Sequence, residues 1–254
     1  MAVQRIGICI NICLFGVCNS GKSSFINTCA TALQDGERQV ELATVGSSSE
    51  SLTTRLREYK ISSKDNKHLI SMYDCRGMDD TRGVTTKDLI SIVKGHIRSN
   101  YEINSEKAIS EESDFYRQVP QIEDIMHCVV FVIDAEVPNE KLLSDHCLEQ
   151  FKEVETVLEA EDIPVLAIVC KTDTLPIGEK NRLQDIFHSK SVEIKCRAVA
   201  EKLQIPLKNV LPMSNYFKEP LPTDEKDVLA LNCLKEMTLR AADRLKQVYR
   251  YNNL

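Results

Sequence analysis

Apolar and polar positions along the 254 residues follow two periods. Nearly continuous apolar runs, Arg5 to Phe15, His127 to Asp134 and Pro164 to Cys170, predict strands buried on both faces, with a short last strand at Val210 to Met213. Leu56 to Ile61 alternates apolar with polar residues, the mark of a half-buried strand. His68 to Tyr73 is a further strand, and the turn Lys64-Asp65-Asn66-Lys67 between these two makes a hairpin. Apolar residues three and four apart predict helices. One starts at Ser24 and ends near Asp35-Gly36; others cover Thr86 to Arg98, Asn139 to Ala160 and Asp227 to Tyr251. A fifth, Asn181 to Gln204, is broken near Ser189-Lys190-Ser191. Two stretches carry no period. Glu41 to Thr54 reads as a long loop around Gly46. Asn100 to Glu123 is polar and acidic, with Glu106, Glu111, Glu112 and Asp114, and reads as a mobile insertion for partner contacts or as a plain solvated loop.

Strands alternating with helices imply an α/β fold in three layers, a mainly parallel sheet with helices on both faces. No linker, repeat or change of composition divides the chain. The expectation is one domain over residues 1–254, with a polar insertion at about 100–123 and a closing helix at about 227–251. Ligands of such sheets sit outside the carboxyl ends of the strands.

Composition excludes more than it assigns. Hydrophobic residues make up 43% and charged residues 28%, an ordinary globular balance. A net charge of -6 gives no general attraction to nucleic acid or anionic membrane. No apolar run approaches the roughly 20 residues that span a bilayer. The first apolar run holds Asn11 and then a glycine loop where a secretory signal would place its cleavage site, so a signal peptide is not expected. The ten cysteines are scattered without a single C-x-x-C pair, which argues against zinc and for free thiols in a reducing cytosol.

The first strand delivers Gly16-Val17-Cys18-Asn19-Ser20-Gly21-Lys22-Ser23, a complete G-x-x-x-x-G-K-[ST] loop. A chance match in a chain this long is about a one-in-a-hundred event at average residue usage. The glycines let the backbone curl around a phosphate and aim its N–H groups inward, at Gly16, Cys18, Asn19, Ser20, Gly21 and Ser24. Lys22 would reach the outer phosphates, and the Ser23 hydroxyl would take a Mg²⁺ position. The helix that follows points its positive dipole end at the same anion. Cys18 is the one thiol whose setting would favour a thiolate, although an inert side chain is the simpler reading. These features assign the chain to the P-loop NTPases, in a G-domain-like form.

Asp74-Cys75-Arg76-Gly77 follows a strand with the pattern D-x-x-G. Asp74 there can hold Mg²⁺ directly or through water, and the Gly77 N–H can approach a γ-phosphate. Lys171-Thr172-Asp173 matches K-x-D of guanine-nucleotide binding proteins. A carboxylate at Asp173 accepts from both N1–H and the exocyclic amine of guanine, a donor pair adenine lacks. Lys171 would lay its stem along the purine, and Ser214-Asn215 fits the loop whose backbone meets the guanine O6. Cys170 stands where Asn or Thr is usual, and a thiol braces a loop less well than an amide. Met78 follows Gly77 where many such proteins carry a water-orienting glutamine, so hydrolysis should be slow. Ser49, Thr53 and Thr54 are all candidates for the remaining Mg²⁺ hydroxyl, and Arg55, Arg76 and Arg82 are nearby charges with no evident aim. The cofactors expected are GTP or GDP with Mg²⁺. The two functions expected are a slow GTPase and a non-hydrolysing module that binds nucleotide for stability and a protein partner, or a second copy, through its surface.

The chain also resembles the interferon-induced protein 44 family of P-loop GTPase-like proteins. The resemblance rests on Phe15-Gly16 through Phe25, on Glu123 to Ala135, and on the tail. The tail residues are Ser214-Asn215-Tyr216, Asp227-Val228-Leu229 and Leu239-Arg240-Ala241-Ala242-Asp243-Arg244-Leu245. It implies a cytosolic, interferon-inducible protein of antiviral defence with GTP binding inferred from its motifs.

Overall fold

The computed structural model describes residues 9–34, 38–45, 53–62, 68–177, 182–217, 219 and 221–252. The expectations for Arg5 to Ile8, Asp35-Gly36, Gly46 to Ser51, the turn at 64–67 and Asn181 lie outside these residues.

Among the described residues six strands form one sheet in the order β2-β3-β1-β4-β5-β6. They are β1 (Ile10–Phe15), β2 (Arg57–Ser62), β3 (His68–Asp74), β4 (Cys128–Asp134), β5 (Val165–Cys170) and β6 (Val210–Pro212). β2 pairs antiparallel with β3 at the edge; every other pairing is parallel. β1 is buried at all six positions because helices cover both of its faces, which is why its sequence runs apolar without alternating.

The helices are α1 (Lys22–Ala32), α2 (Thr86–Val93), α3 (Asp145–Ala160), α4 (Lys190–Leu203) and α5 (Asp224–Asn252). α1 and α5 pack on each other, and α5 lies over β1 and β4. Alternation along β4 separates the two faces. Cys128 feels Arg240 of α5, whereas the Phe131 ring meets Phe151 of α3 edge-on at 4.4 Å. Phe15 joins that stack at 5.8 Å from Phe131, so aromatic packing sits directly behind the phosphate loop. All ten cysteines are free thiols.

Three elements differ from expectation. α2 ends at Val93 rather than Arg98, because Gly95 turns left-handed at φ +78°. A Cβ there would stand 2.7 Å from the Asp124 backbone, so the tight approach also requires glycine. The helix expected from Asn139 starts at Asp145: Asn139–Lys141 is a 3₁₀ turn, and the Ser144 hydroxyl caps α3 by accepting the Cys147 N–H. The polar 100–123 stretch forms no helix or named strand, yet it is fastened down. Ile103 and Ile109 are buried, the Ile109 N–H donates to Asp88, and Arg98 and Phe115 share a backbone bond.

Candidate functional site

Parallel pairing sets Leu14 beside Asp74, Asp134 beside Cys170 and Val169 beside Pro212. The loops after β1, β3, β5 and β6 therefore open on one edge of the sheet.

The phosphate loop bends through positive φ at Gly16 (+147°), Asn19 (+60°) and Gly21 (+102°). A Cβ on Gly16 would stand 2.3 Å from the Val132 carbonyl oxygen, so the turn against β4 admits only glycine. α2, α3 and α4 each begin with a side-chain cap (Thr85, Ser144, Ser189) and an acidic residue in the first turn. α1 has neither. Its first N–H groups are left to an anion at its positive end. Lys22 is buried and curls over the loop, its ammonium donating to the carbonyls of Val17 (2.8 Å) and Gly16 (3.2 Å).

Beside it, the Asp74 carboxylate is fully buried. Its Oδ2 accepts the Ser23 hydroxyl at 2.7 Å and the Thr53 hydroxyl at 3.3 Å, while Oδ1 has no partner among the described residues. Burial raises its pKa above the ordinary carboxylate value, and Lys22 and the two hydroxyls pull against that. An orphaned buried carboxylate oxygen beside two hydroxyls suits a hard cation with oxygen ligands. Among the described residues no group of three His, Cys, Asp or Glu could hold a metal, so Mg²⁺ here would draw further ligands from phosphate and water. Gly77 packs so tightly that a Cβ would stand 2.8 Å from the Cys18 nitrogen. The next residue, Met78, donates its N–H to Gly16 O at 3.0 Å and buries its side chain.

On the other flank, Lys171 holds a left-handed backbone (φ +58°) at the end of β5. Its ammonium pairs with Asp134 at 2.5 Å and Glu136 at 3.0 Å. Partial burial pulls its pKa down, but the two carboxylates outweigh that and raise it. Thr172 anchors the loop by donating to Met213 O at 2.9 Å, leaving Asp173 exposed. The 214–217 loop is pinned from several sides. The Tyr216 N–H donates to Thr28 at 3.0 Å, its hydroxyl meets Asp227 at 2.8 Å, and Lys226 donates to the Asn215 carbonyl at 2.7 Å.

A cavity of about 480 Å³ joins the two flanks. Cys18, Asn19, Gly21, Lys22, Ser23, Ser24, Lys171, Asp173 and Asn215 line it. Gly16, Ser20, Asp74, Gly77 and Ser214 are not among its lining residues. Ser20, Asp74 and Ser214 are fully buried, and the Ser20 and Ser214 hydroxyls lack partners among the described residues. Sequence reasoning missed Thr44, Val45, Glu136, Thr174, Tyr216 and Phe217 as lining residues. The first two come from an aperiodic loop; Glu136 stands two residues beyond a strand end, a position that could have been read. Of the candidate arginines, Arg55 pairs with Glu102 and Arg76 reaches the Ile103 carbonyl, and among the described residues no arginine lines the cavity.

Known proteins match this picture. The sequence model of the family described as 50S ribosome-binding GTPase matches residues 11–171. Interferon-induced protein 44 from Mus musculus is 28% identical over 239 residues, 93% of this chain and 56% of its own length. The Homo sapiens protein of that name is 29% identical over 242 residues, 94% of this chain and 54% of its own. Interferon-induced protein 44-like from Homo sapiens is 31% identical over 238 residues, 92% and 52% respectively. The chain thus spans about half the length of the curated relatives it matches. Among solved structures, a dimerization-deficient mutant of Toc33 from Arabidopsis thaliana superposes with a TM-score of 0.55 over 95% of this chain and 87% of that one. At 13% identity this likeness concerns the fold alone. With its phosphate loop, its mostly parallel sheet and these matches, the chain belongs to the family described as 50S ribosome-binding GTPase and, among such P-loop proteins, to the interferon-induced protein 44 family.

Proposed function

We propose that the chain is a Mg²⁺-dependent guanine-nucleotide binding domain that hydrolyses GTP slowly. The observation that carries this reading is the meeting of Lys22 and Ser23 with Lys171 and Asp173 around one cavity. Asp173 lines it as an exposed carboxylate, available to the N1–H and amine of guanine. Phosphates would lie at the uncapped start of α1, drawing the Lys22 ammonium off its own loop carbonyls. Ser23, Asp74 and Thr53 would hold Mg²⁺, which when bound offsets phosphate charge. Of the three hydroxyls open in the sequence, Ser49 lies outside the described residues, and Thr53 is the one seen to reach Asp74.

Slow turnover is supported by what faces away. The buried Met78 side chain cannot orient a water, and Arg76 is turned to Ile103. The same observations favour the second reading, a module that binds nucleotide without hydrolysing it and engages a protein partner or a second copy. The names of the relatives support an interferon-induced setting, and ten free thiols support a cytoplasmic one.

The first test is thermal melting in millimolar Mg²⁺. GDP or GTP should raise the melting temperature and ATP should not; equal stabilisation by ATP would overturn the guanine assignment. Lys22→Ala should abolish the shift. Turnover measured at several protein concentrations then separates the readings: none for the module, a constant specific rate for a monomeric GTPase, and a rising one for hydrolysis assisted by a second copy.

A further inference from the structure

We infer that Asn215 is a positioning residue that locks the base-side loops to the phosphate loop, in place of the residue at 170. The inference rests on the guanine-nucleotide reading and adds to it a residue with a defined role. Its Nδ2 lies 3.2 Å from the Gly21 carbonyl oxygen and 3.4 Å from Cys170 Sγ, so one amide touches the last residue before α1 and the last residue of β5. These are the two elements that deliver Lys22 to the phosphates and Lys171-x-Asp173 to the base. A thiol is a weak hydrogen-bonding group, and Cys170 is fully buried at this junction. The polar link that Cys170 cannot make comes instead from the 214–217 loop.

Three further observations support a built contact. A Cβ on Gly21 would stand 3.1 Å from Asn215 Nδ2 and 3.1 Å from Cys170 Cβ, crowding both by a few tenths of an ångström, and its φ of +102° itself favours glycine. Lys226 of α5 fixes Asn215 from behind by donating to its carbonyl at 2.7 Å. Asn215 Oδ1 is buried without a partner among the described residues, so the amide sits there despite an unsatisfied acceptor. Its useful end is Nδ2.

The arrangement predicts a swap. In the parent there is no room for a longer side chain at 170, because Nδ2 already lies against Sγ. With Ala at 215, an asparagine at 170 gains the vacated space and can reach Gly21 O itself. The chain and its Asn215→Ala, Cys170→Asn and double variants are titrated with a fluorescent GDP analogue in Mg²⁺. Pyrophosphate, a competitor that reaches only the phosphate loop, is measured alongside. Asn215→Ala should weaken GDP binding about threefold to tenfold, the worth of one hydrogen bond. It should leave pyrophosphate within about twofold, because a ligand on one loop gains nothing from locking two together. Cys170→Asn alone should weaken GDP through the clash, and the double variant should restore it. Asn215→Ser serves in the same design if the alanine variant does not fold. Unchanged GDP binding in Asn215→Ala, equal losses for GDP and pyrophosphate, or a double variant as weak as Asn215→Ala would each overturn the inference. A parent chain that fails to bind GDP would refute the nucleotide reading and the inference with it, an outcome distinct from those three.

Discussion

Acidification should destabilise this protein measurably through one histidine. His127 is fully buried where the chain enters β4. Its Nδ1 accepts the Asn11 N–H at 3.0 Å, and its Nε2 faces the Ile122 carbonyl at 2.8 Å, which assigns a neutral ring protonated at Nε2. A second proton would have to go on Nδ1 and break the bond to β1. Burial pushes its pKa down from 6.5 to about 4, the Ile122 bond opposes this, and Arg244 adds to it. Because the folded value lies below the unfolded one, the stabilisation is complete above pH 6.5 and is lost as pH falls towards 4. Linkage with these two values gives a loss of about 2 kcal/mol between pH 7 and pH 5. At a urea slope of about 2–3 kcal/mol/M, the midpoint should fall by about 0.7–1 M from this source. Carboxylates also titrate, so the measurement is a comparison with His127→Asn, whose amide oxygen can still accept from Asn11. That variant should be less stable at pH 7 by about 1–3 kcal/mol, having lost the Ile122 bond. The gap between parent and variant should shrink by about 2 kcal/mol at pH 5. A gap that does not change with pH would refute the reasoning.

Three other outcomes follow from particular contacts. Gly16→Ala should cost about 3 kcal/mol or more, since its Cβ would collide with Val132 O at a φ of +147°; a urea midpoint near the parent's would contradict this. Thr53→Val keeps the shape but removes a hydroxyl from Asp74, and should cut the Mg²⁺-dependent gain in GTP affinity about tenfold; an unchanged Mg²⁺ titration would rule Thr53 out. Met78→Gln should not speed turnover, because position 78 points into the core rather than at the cavity. It should instead lower stability by about 1–3 kcal/mol, and a large rise in turnover would show that reading of position 78 to be wrong.

The parts of the molecule that could be read from sequence are those whose chemistry is local. Gly16, Gly21, Lys22 and Ser23 work at fixed spacing within one turn, so strand, loop and helix could be placed from the motif. Asp74 and Lys171-x-Asp173 follow apolar runs whose ends the sequence marks. Local signals failed where a single residue decided an ending. Ile97 fits the helical spacing of α2, but Gly95 has already turned the chain, and Ile97 instead bridges to Tyr116. Leu142 and Leu143 fit the period of α3 and are buried, yet they precede its cap. The acidic tone of 100–123 hid Ile103 and Ile109, which fix that stretch to the body. The contact between Asn215 and Gly21 joins residues 194 apart, and no pattern near either one announces it.

That separation also has a meaning in time. A chain made from its N-terminus exposes the phosphate loop before the rest of this sheet, at the centre of a sheet whose other strands do not yet exist. The amide that holds Gly21 and the ammonium that holds the backbone carbonyl of the same residue arrive 194 and 205 residues later, at Asn215 and Lys226. An unfinished chain therefore displays the whole motif without a fixed pocket behind it. Nucleotide can act as a seal on the completed fold, and not as a scaffold on which the early half is assembled.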